Sequence, residues 1–164
     1  MTAIIAIDPG TSNTGLVYMD ERQIYTCRTI THRDGVFKDA ITKTGRKSRE
    51  IDQYKLRARC RAIANCIRDF CLMNPHDAIV IEGFQGWAHG GRANSNTPQT
   101  PYLCGYLMRE LEGENVIIQT STEALRNIDK QALCSSYPGG GGCTNDHVRA
   151  AACHGIYFFR RNSK

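Results

Sequence analysis

The chain commits to a sheet at once. Residues 3–7, Ala-Ile-Ile-Ala-Ile, form an unbroken apolar run that is too short for a helix and rich in β-branched side chains, so it reads as a buried strand. The run delivers a carboxylate, Asp8, to Pro9-Gly10, and residues 14–18 then resume as a second strand, which predicts a hairpin. Its bend carries Asp8 together with Thr11, Ser12, Asn13 and Thr14. An acid at such a strand end can hold a divalent cation, because Mg²⁺ is usually bound through one or two carboxylates together with substrate oxygens. The small residues can instead cradle a nucleotide phosphate on backbone N–H groups, or Asp8 can simply cap a tight turn. On this stretch alone the three readings stay open.

The same arrangement recurs once. Residues 78–82, Ala-Ile-Val-Ile-Glu, are a second apolar run ending in an acid, Glu82. If both are central strands arriving at one sheet edge, Glu82 stands beside Asp8, and a carboxylate at the end of a buried strand needs a partner or a metal. Between the two runs, residues 23–31 are rich in Ile, Tyr, Thr and Cys and read as a third strand, antiparallel to the second. Residues 32–48, with Lys43, Arg46 and Lys47, read as a basic loop of low order, either an exposed connection or an arm over a phosphate backbone. Residues 49–73 turn helical, with Leu56, Cys60, Ile63, Ile67 and Phe70 on one face and Lys55, Arg57, Arg59, Arg61 and Arg68 on the other. That basic face is either merely solvated or suited to nucleic acid.

Beyond Glu82, residues 83–100 form a long loop with Phe84, Trp87, His89 and Arg92, and loops of that length in small domains are often functional. A helix is expected over 101–112, a fifth strand over 116–121 and a short helix over 122–128, followed by an irregular glycine-rich loop over 135–144. The last helix opens at Asp146, with Val148, Ala151, Ala152, Gly155, Ile156 and Phe159 on its buried face. Asp146 in its first turn is either an N-terminal capping acid or a third functional carboxylate.

At 164 residues the chain is expected to be one domain, 1–164, with room for a core. The net charge of +5 favours a polyanionic partner or a merely basic surface. No secretory signal and no run of membrane-spanning length is visible, which points to a cytoplasmic chain with no membrane partner. The eight cysteines show no CxxC pair and no regular Cys/His spacing, so a structural zinc module is not expected and most should be small buried hydrophobes. Asp8, Glu82 and Asp146 each stand at the edge of an element that looks buried, and their convergence would make a divalent-metal site. Two ions roughly 4 Å apart can activate a water and stabilise the leaving oxygen of a phosphodiester.

Ile7-Asp8-Pro9-Gly10 with Gly15, Ile79-Val80-Ile81-Glu82 with an aromatic following, and Asp146-x-x-Arg149-Ala150 opening an Ala-rich terminal helix resemble the RuvC family of Holliday-junction resolvases. The similarity spans nearly the whole chain in order. It implies an α/β, ribonuclease-H-like fold, a five-stranded mixed sheet whose first three strands are antiparallel, flanked by helices on both faces. It further implies a homodimer on branched DNA, most often four-way junctions, nicked with Mg²⁺ or Mn²⁺, one or two ions per active site. By position, Asp8, Glu82 and Asp146 match the metal-binding acids, and Arg126 or Lys130 lies where basic residues approach the scissile phosphate. Phe84 and Trp87 fall in the loop that sets an aromatic against junction bases. Lys43, Arg46, Lys47, Arg92 and Arg149 are the expected backbone contacts. The departure is at Arg149, where many relatives carry a fourth acid, and His147 is a nitrogen donor that could join the metal set, better matched to Mn²⁺ than to Mg²⁺.

Three other readings stand beside this one. Asp8-Pro9-Gly10-Thr11-Ser12-Asn13-Thr14-Gly15 also resembles the first phosphate loop of actin-like ATPases and sugar kinases, though the chain has no second copy of that loop. A RuvC-like nuclease that processes RNA, and a branched-DNA-binding protein whose catalysis is weakened through Arg149, complete the set.

Overall fold

The computed structural model describes residues 2–32, 37–41, 47–83, 99–120, 124 and 129–162, with backbone alone for 37–41 and 47–50. In chain order the elements are β1 (Ala3–Asp8), β2 (Asn13–Asp20), β3 (Ile24–Thr31), β4 (Phe37–Ile41), β5 (Lys47–Ile51), α1 (Gln53–Met73), β6 (Ala78–Gly83), α2 (Gln99–Glu110), β7 (Val116–Thr120), α3 (Lys130–Ser136), a 3₁₀ turn (Gly140–Gly142) and α4 (Asp146–Asn162). The main sheet runs β3-β2-β1-β6-β7. Its first three strands are antiparallel, and β6 joins β1, and β7 joins β6, in parallel.

The pleat sorts the isoleucines of β1 between two cores. Ile5, Ile7, Leu16, Ile79 and Ile81 face α1 and α2, where Leu56, Ile63, Ile67, Phe70, Leu103 and Leu107 cover them. Ile4, Ala6, Val17, Met19, Ala78 and Val80 face the other way, against Val148, Ala151, Ala152, Ile156 and Phe159 of α4. Period-2 alternation in strands buried on both sides therefore yields a three-layer α/β sandwich, as the sequence predicts. Among the described residues no helix is long and apolar enough to cross a membrane.

Three local expectations are corrected. Within the loop expected over 32–48, residues 37–41 form β4, which pairs antiparallel with β5 at 47–51, and the register sets Phe37 opposite Ile51 and Lys38 opposite Glu50. The helix expected from residue 49 begins only at Gln53, because Asp52 caps it, its carboxylate accepting from the backbone N–H of Tyr54 and Lys55 at 3.0 and 3.1 Å. In the glycine-rich stretch, α3 extends to Ser136 and a 3₁₀ turn follows at Gly140–Gly142. The short helix expected over 122–128 lies outside the described residues apart from Ala124.

Arg59, expected on the solvated face of α1, is buried, and its Nη1 donates to the Thr11 carbonyl at 3.3 Å. Thr11 Oγ1 donates to Gln99 Oε1 at 2.9 Å, and Thr14 Oγ1 donates to the Gly10 carbonyl at 2.8 Å. The β1–β2 bend is thus pinned from α1, from α2 and from within. Gly15 has a different task from loosening that bend: a Cβ there would lie 2.2 Å from the His147 carbonyl oxygen and 2.6 Å from the Val148 nitrogen. It lets the first turn of α4 sit directly on β2. Gly15→Ala is therefore expected to destabilise the protein by about 1–3 kcal/mol or more, since the obstacle is backbone rather than a side chain that can swing away. Urea unfolding measures this, and an unchanged midpoint and slope would contradict the close approach.

Candidate active site

Asp8 and Glu82 continue the α4-facing rows of their strands, Ile4-Ala6-Asp8 and Ala78-Val80-Glu82, one step beyond the parallel pair Ile7↔Ile81. Both carboxylates consequently emerge from the C-terminal ends of adjacent parallel strands on the same face. Gln119 of β7 pairs with Glu82 and joins the row. The helix lying over this row supplies the groups that meet them.

The start of α4 is fixed in rotation by polar contacts as well as by Gly15. Asn145 Oδ1 accepts from the Val148 N–H at 3.0 Å, and Asn145 Nδ2 donates to Thr29 Oγ1 on β3. In that setting His147 Nδ1 lies 2.8 Å from Asp8 Oδ2. Seven residues on, two helical turns, His154 lies on the same side of α4. It is fully buried, its Nε2 lies 3.4 Å from Glu82 Oε2, and its Nδ1 lies 3.2 Å from Gln119 Oε1. Each carboxylate thus has its own imidazole from one helix.

Of the residues singled out in the sequence, Asp8, Glu82 and His147 come together. The Asp146 side chain is 87% exposed and pairs with Arg149 Nη1 at 3.1 Å. Arg149 also donates from Nε to the Cys143 carbonyl at 3.1 Å, so its guanidinium braces the entry to α4. Lys130 begins α3, and its charge acts on both Glu82 and His147. Lys47 lies in β5, where only the backbone is described, and Phe84, Trp87, Arg92, Lys43, Arg46 and Arg126 lie outside the described residues. His154 and Gln119 were not singled out. The seven-residue interval between two histidines of one helix was the signal that could have found the first.

Electrostatics divide the two acids. Burial, together with the negative charge of Glu82, holds the Asp8 carboxyl above the usual range, against the opposing hydrogen bond from His147. Burial pushes Glu82 up as well, but hydrogen bonds with His154 and Asp8 and the charge of Lys130 outweigh it and leave Glu82 below the usual range. The hydrogen bond to Asp8 raises His147, against the effect of desolvation. The donor chemistry, two carboxylates and an imidazole, suits a divalent cation, and a positive charge there would relieve the repulsion that raises Asp8. As arranged, His147 already occupies one Asp8 oxygen. Among the described residues no three such side chains close on a common point that could hold a metal ion.

No protein-family model and no curated protein sequence matches the chain. Solved structures do. Thermus thermophilus RuvC in complex with a Holliday-junction substrate superposes with a TM-score of 0.67 at 12% identity, over 99% of this chain and 96% of that one. A second structure of Thermus thermophilus RuvC gives 0.60 at 13% identity, over 99% and 97%. Fowlpox virus resolvase, also bound to Holliday-junction DNA, gives 0.52 at 14% identity, over 99% and 100%. At these identities the likeness establishes a RuvC-like fold along the whole chain.

His147 should titrate above its ordinary value of 6.5 in the wild type and fall back toward it in Asp8→Asn. Because the folded value is the raised one, the stability contributed by the Asp8–His147 pair is fully present below about 6.5 and is lost as pH rises through the folded value. The stability gap between wild type and Asp8→Asn should therefore narrow across that window. Long-range ¹H–¹⁵N NMR of the imidazoles checks the titration, and a wild-type His147 titrating at or below 6.5 would refute the pairing.

Proposed function

We propose that this chain is a structure-specific DNA endonuclease that nicks four-way junctions by divalent-metal-dependent phosphodiester hydrolysis, working as a homodimer. The observation that carries the reading is the meeting of Asp8, Glu82 and His147 at the C-terminal ends of two parallel strands, within a fold shared with resolvases from a bacterium and a poxvirus. Asp8 and Glu82 are the oxygen ligands of this proposal and His147 its nitrogen ligand, which favours Mn²⁺ alongside Mg²⁺. The ion, when bound, supplies an activated water and charge stabilisation at the leaving oxygen.

The chain's own groups do the remaining work. His154, itself held through Nδ1 by Gln119, stands 3.4 Å from Glu82 and favours its ionised form. His147, 41% exposed, is oriented through Nδ1 by Asp8, so that Nε2 is the nitrogen it would offer the ion. Lys130, with Arg126, neutralises the phosphate as charge develops. Asp146 takes the lesser role of orienting Arg149 and shaping the field around His147. Phe84 and Trp87 are assigned to stacking on unpaired bases, and Lys43, Arg46, Lys47, Arg92 and Arg149 to phosphates, with the salt dependence that such contacts carry.

Labelled four-way, Y-shaped and linear DNA and structured RNA, each incubated with Mg²⁺, Mn²⁺ or EDTA, test the assignment. Paired nicks in the four-way junction, lost in EDTA, are expected. Asp8→Asn and Glu82→Gln should each lower cleavage at least about 100-fold while junction binding persists, because the interaction removed is worth several kcal/mol at the transition state. Asp146→Asn should cost about 10-fold or less, in keeping with an orienting contact rather than direct charge stabilisation. Cleavage of RNA alone, or ATP binding with no nuclease activity, would replace the proposal, and full activity of Glu82→Gln would remove that residue from the ligand set.

A further inference from the structure

Behind the catalytic row, on the side of α4 that meets β3 and α3, four cysteines lie in file. Cys27 Sγ on β3 is 3.5 Å from Cys143 Sγ, which directly follows the 3₁₀ turn. Cys134 of α3 is close enough for Cys143 and Cys153 of α4 to bear on its acidity, and its Sγ donates to the Arg149 carbonyl at 3.8 Å. Cys134, Cys143 and Cys153 are buried, whereas Cys27 is only partly so. Such a quartet invites a zinc reading, but among the described residues no three side chains of the ligating types are disposed to hold a metal ion. The 3.5 Å sulfur–sulfur approach joins the one partly exposed thiol of the file to its buried neighbour.

We propose that Cys27 and Cys143 form an oxidisable dithiol, a modification site that a peroxide converts into an intramolecular disulfide. Cys27 is the attacking group. Its hydrogen bond with Cys143 holds its thiol below the usual range, whereas the Cys143 thiol is pushed up to about 12. The Cys27 thiolate attacks one peroxide oxygen, the O–O bond breaks, and Cys27 becomes a sulfenic acid while water leaves. Cys143 sulfur then attacks Cys27 Sγ, the S–S bond forms, the S–O bond breaks and a second water departs. Two thiols surrender two electrons and two protons, and the peroxide is reduced to two waters.

The backbone permits the closure. The sulfurs need to approach from 3.5 Å to about 2.05 Å, a movement of roughly 1.5 Å. Gly139 and Gly140 anchor the loop, since a Cβ at either would strike the Ile24 or Cys134 carbonyl. Gly141, where a Cβ would meet nothing within 4 Å, borders open space, and Gly142 lies over Cys27 with no side chain between them. The cross-link would run beside the Thr29–Asn145 hydrogen bond and tie β3 to the segment that enters α4 four residues ahead of His147. It closes a loop of more than a hundred residues, the size for which constraint of the unfolded chain counts most.

The test is peptide mapping of the whole protein without reductant, before and after hydrogen peroxide. Trypsin releases Cys27 in residues 23–28 and Cys143 in residues 131–149, a peptide that also carries Cys134. A linked pair of these peptides should appear on oxidation, vanish with dithiothreitol, persist in Cys134→Ser and be absent from Cys27→Ser and Cys143→Ser. The oxidised wild type should melt about 5–10 °C above the reduced form, with no such rise in Cys27→Ser. Over-oxidation of Cys27 with no linked peptide, linkage of Cys27 to another cysteine in the wild type, or stoichiometric zinc protecting the four thiols would each overturn the proposal, and the wild-type map decides even if a serine variant fails to fold.

Discussion

Two carboxylates at the ends of neighbouring parallel strands repel one another, and the rest of the structure is arranged so that they stay there. Asp8 is 14% exposed and Glu82 21% exposed, so neither can shed its charge into bulk water. An uncompensated buried charge costs several kcal/mol, and two side by side cost more than their sum. The compensation comes from one helix, whose imidazoles at positions 147 and 154 meet the acids one to one. The sheet could have formed without these acids, because the isoleucine and valine rows supply its core. The acids in turn require the helix in a single rotational setting.

That setting follows from small residues and one amide. Gly15 admits the backbone of His147 and Val148 at a distance that no side chain would allow. Gly155 performs the same service further along, since a Cβ there would meet Met19 Sδ at 2.3 Å and Ala6 Cβ at 3.4 Å. Ala151 and Ala152 keep the helix close to β1 and β2 between these points, and Asn145 locks the first turn to β3. A helix held this closely at its first turn and again at its middle has little freedom to rotate. The small-residue stripe is therefore part of how the site is positioned as well as part of the core.

The sheet was legible in the sequence because both halves of its signal are local. β-branched runs that end in an acid declare strands and mark which pleat face the acid occupies, whereas the neighbouring positions of Asp8 and Glu82 depended on the two strands being adjacent, which the parallel pairing of β1 with β6 supplies. The pairing of β4 with β5 was not legible, since these strands carry charged residues where alternation would show apolar ones, and only the pairing register makes sense of them. Asp52 was legible as an acid but not as a cap. At the start of α4 the ambiguity was rotational: residues 146 and 147 differ by about 100° around the helix. The apolar stripe through Val148, Ala151, Ala152 and Gly155 puts Asp146 nearly opposite the buried face and His147 on its flank, the arrangement in which His147 meets Asp8 and Asp146 meets Arg149. Arg59 escaped because its value lies in the Thr11 carbonyl, a contact across 48 residues that no local pattern encodes.

The two acids are held differently, and the difference bears on chemistry. Glu82 is backed by a fully buried imidazole and a buried amide, and its carboxyl lies below the usual range, so it is a fixed negative charge at neutral pH. Asp8 lies above the usual range, and its partner His147 is the more exposed of the two imidazoles. A group whose negative charge is opposed by its surroundings gains most from an arriving positive charge, and a surface imidazole can swing aside where a buried one cannot. Asp8 and His147 are therefore the adaptable half of the site and Glu82 with His154 the rigid half. Pairs of acids whose environments push their proton affinities apart are the usual way in which one site assigns them separate duties. Here the division arises from a single helix, because one of its histidines lies at the solvent edge of the sheet and the other two turns deeper in.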